Sequence, residues 1–138
     1  MSGPRLVLDT HGLLWWLAAG GPLPKRLRKQ IDRASDASMV AVSAISVWEV
    51  GMLEAKGRIA LDRDVDTWSN DLEAVGRVEL VAVDHRIAAQ AALLEDFHGD
   101  PADRLIVASA IERGSTLVTR DDRITAWAKR TGLVQTQW

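Results

Sequence analysis

Cysteine is absent from this sequence of 138 residues, which excludes disulfides, zinc-thiolate sites and cysteine nucleophiles together. Long hydrophobic runs are missing as well. No stretch approaches the roughly 20 apolar residues that span a bilayer, and the leading Met1-Ser2-Gly3-Pro4-Arg5 shows no signal-peptide pattern, so neither leader nor membrane anchor is expected. A cytoplasmic setting fits these absences. There is no excess of positive charge: 17 Lys and Arg stand against 19 Asp and Glu, for a formal net charge of -2. That excludes a protein that holds nucleic acid chiefly by bulk electrostatics, so any nucleic-acid chemistry has to be local and metal-assisted. Paired histidines are lacking too. His11, His85 and His98 stand singly, without the His-Glu-x-x-His spacing of a His-rich zinc site.

What is present is ordinary for a globular chain, with 47% hydrophobic and 26% charged residues. The length suits one continuous core and predicts a single domain over residues 1–138. No repeat, linker or low-complexity tract divides it. Leu6-Val7-Leu8 is a short aliphatic strand ending in Asp9, and Leu13, Leu14, Trp16 and Leu17 follow at helical spacing. Gly20-Gly21-Pro22 breaks that helix, and Pro24 opens a second with Leu27, Ile31 and Ala34 on one face. Met39 to Val42 reads as a buried strand, and Ser43 caps a helix from Ala44 to about Lys56 that Gly57 stops. A helix from Val65 to Val75, a strand from Val78 to Val83 and an Asp84-capped helix come next. Asp100-Pro101 starts another helix running to Gly114, Thr116-Leu117-Val118 is the fourth strand, Asp121 to Lys129 the last helix and Val134 an edge strand. Short strands alternating with helices predict a three-layer α/β domain, a central short parallel sheet flanked by helices on both faces.

In such a sheet, ligands gather at the carboxyl ends of the strands. Asp9, Glu49, Asp103 and Asp121 all fall in that zone: Asp9 ends the first strand, Glu49 lies in the helix after the second, Asp103 is in the first turn of a helix and Asp121 follows the fourth strand. Carboxylates brought together without basic partners repel one another, so their concentration calls for a cation. Mg²⁺, or Mn²⁺ in its place, suits hard oxygen ligands and leaves positions open for substrate phosphate oxygens. Such an ion activates water near neutral pH, and a second ion about 4 Å away would stabilise a leaving oxygen, so no Ser, Cys or His nucleophile is needed. Each acid also has a plainer reading. Asp100 and Asp103 suit a helix N-terminus, and Asp121 or Asp122 would cap the last helix. Glu49 sits among Val47, Trp48 and Val50, where an acid is exposed or paired unless it has a task.

These segments carry a resemblance. Leu6-Val7-Leu8-Asp9-Thr10-His11 with Leu14-Trp15-Trp16-Leu17, then Ser46-Val47-Trp48-Glu49-Val50, then His98-Gly99-Asp100-Pro101-Ala102-Asp103-Arg104-Leu105-Ile106, then Leu117-Val118-Thr119-Arg120-Asp121 resemble the PIN-domain nucleases. More narrowly, they are similar to the VapC-type toxins of bacterial toxin-antitoxin modules. The match spans nearly the whole chain in order. It implies a PIN-like fold and a Mg²⁺- or Mn²⁺-dependent endoribonuclease with Asp9, Glu49, Asp103 and Asp121 as acids. It also implies a homodimer, and inhibition by a cognate antitoxin that covers the acidic site. Thr119 matches a hydroxyl that orients the last acid or a metal's water. The chain departs from the pattern at Asp121-Asp122, where two adjacent acids compete for the fourth place; the spacing from Thr119 favours Asp121.

Other residues are expected around this set. His11 and His98 neighbour the acids and suit positioning rather than proton transfer. Arg104 and Arg120 flank acids and would either bind the scissile phosphate or pair with the carboxylates. Trp15 and Trp16 lie about 100° apart on a helix, so one is a candidate partner contact. The basic helix from Lys25 to Arg33 is a local positive patch for an RNA backbone or a solvated face. Two rival classes remain: a haloacid-dehalogenase-like phosphatase with Asp9 as nucleophile, which wants an Asp where His11 stands, and a catalytically inactive α/β interaction module.

Overall fold

Strand β1 (Leu6–Leu8), with all three residues buried, is the centre of a five-stranded sheet. The computed structural model describes residues 5–18 and 20–138; the expectation of no signal sequence falls partly on residues 1–4, outside the described residues. β2 (Val40–Ser43) flanks β1 on one side and β4 (Thr116–Val118) on the other, with β3 (Glu79–Val81) and β5 (Thr136–Gln137) outermost. The order is β3-β2-β1-β4-β5 and every pairing is parallel. Val7 lies opposite Ala41 and Leu117, and Leu8 opposite Val42 and Val118. Because side chains alternate across a strand, Val7, Ala41 and Leu117 enter one core layer while Leu6, Leu8, Val40, Val42 and Val118 enter the other. Both faces are apolar because both are covered, which is why the strands read as continuous aliphatic runs rather than alternating ones.

Helices α5 (His85–Leu93), α6 (Pro101–Glu112) and α7 (Asp122–Thr131) cover the first face through Ile87, Ile106, Val107, Ile124 and Trp127. On the second lie α1 (Thr10–Leu17), α2 (Lys25–Asp36), α3 (Ala44–Ala55) and α4 (Val65–Ala74), contributing Leu13, Leu27, Ile31, Val50 and Trp68. α6 carries fully buried Ala108 and Ala110, whose small side chains let its backbone lie close to the sheet. The result is the three-layer α/β arrangement expected from the alternation of elements. Among the described residues no helix is long and apolar enough to cross a membrane.

Helix starts follow the capping residues of the sequence. Ser43 accepts from the Ile45 amide at 3.2 Å, Asp84 from Ile87 at 3.0 Å and Asp100 from Asp103 at 3.1 Å, each satisfying a donor with no partner inside its helix. α3 and α4 are each followed, within two residues, by a glycine in the left-handed region, Gly57 and Gly76, an exit that side chains resist. Two expectations shift. The edge strand is Thr136–Gln137, not Val134, which is buried in the core just before it. β5 is set by parallel pairing with β4 and by reciprocal amide bonds between Gln30 and Gln137 at 3.0 and 2.6 Å, contacts that local pattern does not encode. Asp121 lies outside the last helix as its N-cap.

The connection from α5 to α6 is held by one side chain. All five N–H groups of the Arg104 guanidinium donate to backbone carbonyls, those of Ala91, Ala92, Leu94, Phe97 and His98, at 2.8 to 3.3 Å. This uses the full donor fork and supplies the orphan carbonyls at the end of α5. Charge-assisted bonds of this kind are worth more than neutral ones, so Arg104→Met, which keeps the stem and removes the fork, is expected to lower unfolding free energy by about 2–3 kcal/mol in urea titration. A change within error would show that water serves these carbonyls equally well.

Candidate active site

The strand order reverses between β1 and β4, and at such a switch point the loops part to leave a crevice. Asp9 leaves β1 there and Thr119 leaves β4. The Thr119 hydroxyl donates to Asp9 Oδ2 at 2.7 Å and its oxygen accepts from the Asp121 amide at 3.1 Å, so one buried side chain fixes both the first acid and the backbone of the fourth. The other Asp9 oxygen caps α1, accepting from the Gly12 amide at 2.7 Å. Gly12 is needed for this: a Cβ there would come within 2.9 Å of Asp9 Oδ1 and 3.4 Å of the Val118 carbonyl.

Glu49 projects from α3 and accepts a hydrogen bond from the Thr10 hydroxyl, which in turn lies 2.9 Å from Ser46 Oγ. Ser46 and Glu49 are three apart on one helix face, and Thr10 directly follows Asp9, so α1 and α3 meet through the acids' own neighbours. Asp103, at the start of α6, pairs through Oδ2 with His98 Nε2 at 2.8 Å. Asp121 caps α7, its Oδ1 accepting from the Arg123 and Ile124 amides at 2.9 and 3.1 Å.

All four acids line one cleft of about 460 Å³, with Thr10, His11, Trp15, Asp100, Ile106, Arg120 and Arg123 completing its wall. Asp100 is thus brought to the site, while Asp122 is exposed and lies outside the lining. Arg104 is not in the lining either; its guanidinium is fully engaged by carbonyls. Thr10, Gly12, Ser46 and Arg123 were not singled out from the sequence. Thr10 and Ser46 are recoverable from their offsets of one residue from Asp9 and three from Glu49, whereas Arg123 announces itself only in three dimensions.

Burial is the main force on the acids. It raises the Asp9 carboxyl above the usual range against the hydrogen bonds from Thr119 and Gly12, with the charge of Asp103 adding to the rise. Glu49 and Asp103 are raised for the same first reason, partly offset by Thr10 and His98 and reinforced by neighbouring acids, Asp103 and Asp100 for Glu49, Asp100 and Asp121 for Asp103. The donor set is therefore hard oxygen held mostly by neutral dipoles. Glu49 Oε2, Asp103 Oδ1 and Asp121 Oδ2 have no protein hydrogen-bond partner among the described residues, and none of them is buried and orphaned. Among the described residues, no three His, Asp or Glu side chains close in tightly enough to enclose an ion unaided. What bears on a metal is the chemistry of the donors, since carboxylate oxygens are the hard ligands that Mg²⁺ and Mn²⁺ take.

Against this geometry the comparisons fall into place. The PIN domain family model matches residues 6–130, and the chain belongs to the PIN-domain family. It is 41% identical over 121 residues to "Ribonuclease VapC22" of Mycobacterium tuberculosis, a match covering 86% of this chain and 88% of that protein. Among solved structures it superposes on VapBC2 from Rickettsia felis bound to a promoter DNA fragment with a TM-score of 0.67 at 17% identity, covering 96% of this chain and 98% of that one. FitAcB from Neisseria gonorrhoeae gives 0.62 at 22% identity, with 95% of each chain covered. At those identities the superpositions speak for the fold.

An acid whose folded pKa is raised binds more protons folded than unfolded, so its contribution to stability falls as pH rises from its unfolded value, 3.8 for Asp or 4.5 for Glu, through the raised folded value. In chelator, the melting temperature is therefore expected to decline across that window by more than in Glu49→Gln, and Glu49→Gln is expected to melt higher than wild type at neutral pH. Equal melting curves at every pH would show that the acid is not strained by its surroundings. Gly12→Ala is expected to displace the Asp9 carboxylate, read as a melting temperature several degrees lower with the pH dependence of Asp9 diminished; an unchanged melt would show the cap relaxing freely.

Proposed function

We propose that the chain is a Mg²⁺- or Mn²⁺-dependent endoribonuclease, one nuclease domain over residues 1–138, acting in the cytoplasm as the toxin of a toxin-antitoxin pair. The observation that carries it is the convergence of Asp9, Glu49, Asp103 and Asp121 on one cleft at the switch point of the sheet, with Arg120 and Arg123 on the same wall. The likeness to a protein named a ribonuclease supports RNA as the substrate.

The four acids would hold the ion, which supplies charge neutralisation for a phosphodiester and an activated water at neutral pH. Thr119 keeps Asp9 and the Asp121 backbone in register, so that two strands act as one rigid mount. Thr10 orients Glu49, and His98 fixes the rotation of Asp103 while leaving its second oxygen without a protein hydrogen-bond partner among the described residues. Arg120 and Arg123 are exposed and form no salt bridge among the described residues, so both are available to the phosphate, where a guanidinium pairs bidentately. A phosphatase with Asp9 as nucleophile is disfavoured, because the second Asp it wants two residues on is replaced here by His11.

An antitoxin partner and a homodimer belong to the same proposal. Supporting a protein partner is an apolar recess beside the acids, lined by Ile45, Trp48, Pro101 and Ala102 and running into Glu49 and Asp100. Trp48 is 58% exposed there, and a large exposed aromatic surface of this kind marks contact sites. A chain seated on it would shadow the acids.

Glu49→Gln and Asp103→Asn are each expected to cut the rate of Mg²⁺-dependent RNA cleavage by about 10²-fold or more, the range seen when one group stabilising transition-state charge is lost, with circular dichroism unchanged. Chelator is expected to stop the wild type. Cleavage at the wild-type rate by both variants, or in chelator, would remove the metal centre from the mechanism.

A further inference from the structure

The cleft has a second wall that the acids do not explain. His11 and Trp15 are four residues apart on α1, on one face, with ring centroids 5.3 Å apart and planes tilted by 41°. Trp138 meets Trp15 edge-on at 5.5 Å. The Arg120 guanidinium lies over the Trp15 ring, 5.9 Å from its centroid. His11, Trp15 and Arg120 all line the same cleft as the carboxylates.

This wall is rigid on one side and free on the other. Arg28 donates to the carbonyls of Trp15 and Trp16, both at 2.7 Å, and of Ala18 at 3.1 Å, pinning the end of α1 that carries the indole. Trp138 braces its edge. Arg120, by contrast, is exposed and sits near the outer limit of a cation–π contact, so moving it off the ring costs little. Trp15 packs in part against the core under α1, yet it is only half-buried and also lines the cleft.

Resting on the nuclease reading above, we propose that Trp15, flanked by His11 and Arg120, is a stacking subsite for an unpaired nucleobase next to the scissile phosphate. The base lies on the indole face within the cleft while Arg120 leaves the ring for the neighbouring phosphate. In a duplex the base's faces are already occupied by its own neighbours, so a paired strand offers nothing to this wall. Stacking on an aromatic side chain tolerates every base, so the subsite selects strandedness rather than sequence.

The test uses the full chain and a short single-stranded oligoribonucleotide of mixed sequence, intact or with one abasic nucleotide on either side of the mapped cleavage point. With wild type, one abasic position is expected to raise KM about tenfold while kcat changes little. Trp15→Leu is expected to raise KM on the intact strand by a similar factor and to be indifferent to that abasic position, whereas Trp15→Phe, which restores a ring, keeps KM near wild type. Melting curves check folding. Should Trp15→Leu fail to fold, Arg120→Gln on its exposed side chain serves instead, expected to raise KM and to reduce the salt dependence of binding by about one phosphate contact. A Trp15→Leu chain that is folded, keeps its KM and remains fully sensitive to the abasic site would overturn the subsite, even if the variant lost affinity for a protein partner. Fluorescence anisotropy of the labelled strand separates the two levels: base-dependent, Trp15-dependent binding without any cleavage would support the subsite and count against the nuclease reading.

Discussion

The hydrogen bond from Thr119 to Asp9 closes the seam on which the rest of the site depends. β1 and β4 are adjacent in the sheet but 110 residues apart in the pairing that this bond makes, and the crevice between their ends is where the fold must place acids that repel. Three of them are held by neutral donors instead of a cation: Thr119 and the Gly12 amide for Asp9, Thr10 for Glu49, helix-start amides for Asp121. Among the described residues, Asp103 alone of the four meets an ionisable donor, His98. Dipoles orient a carboxylate without cancelling its charge, so the repulsion among the acids persists in the free protein.

The arginines divide by the same logic. Arg28 and Arg104 spend their forks on backbone carbonyls, one at the end of α1 and the other over the stretch between α5 and α6. Neither competes for the carboxylates. Arg120 and Arg123 stand on the cleft wall without carboxylate partners among the described residues. Positive charge is thus kept close to the acids without neutralising them, which a chain of net charge -2 could not achieve by bulk attraction.

Legibility in the sequence followed the range of the interactions. Helix starts at Ser43, Asp84, Asp100 and Asp121 were readable because a cap bonds an amide two or three residues on. The covered sheet was readable because both faces are apolar. β5 was displaced by two residues, since Val134 has the hydrophobicity but the pairing with β4 decides which backbone joins the sheet. At the site, the four acids could be picked out, but not what holds them: Thr10 reaches Glu49 across 39 residues and Thr119 reaches Asp9 across 110. Arg104 and Arg120 looked equivalent in sequence because each adjoins an acid; a long side chain can turn either way, and one turned to carbonyls while the other lies over Trp15.

Asp9 and Asp121 hold two offices, since each caps a helix while lining the cleft. Glu49, in the middle of α3, caps nothing. In a lineage where activity had ceased to matter, drift would therefore erase these acids at different speeds. Positions 9 and 121 would persist for the sake of their helices and give a false impression of a working centre, while position 49, with only function to preserve it, would be the first to wander. The residue at position 49 is accordingly the one by which a degenerate copy would betray itself.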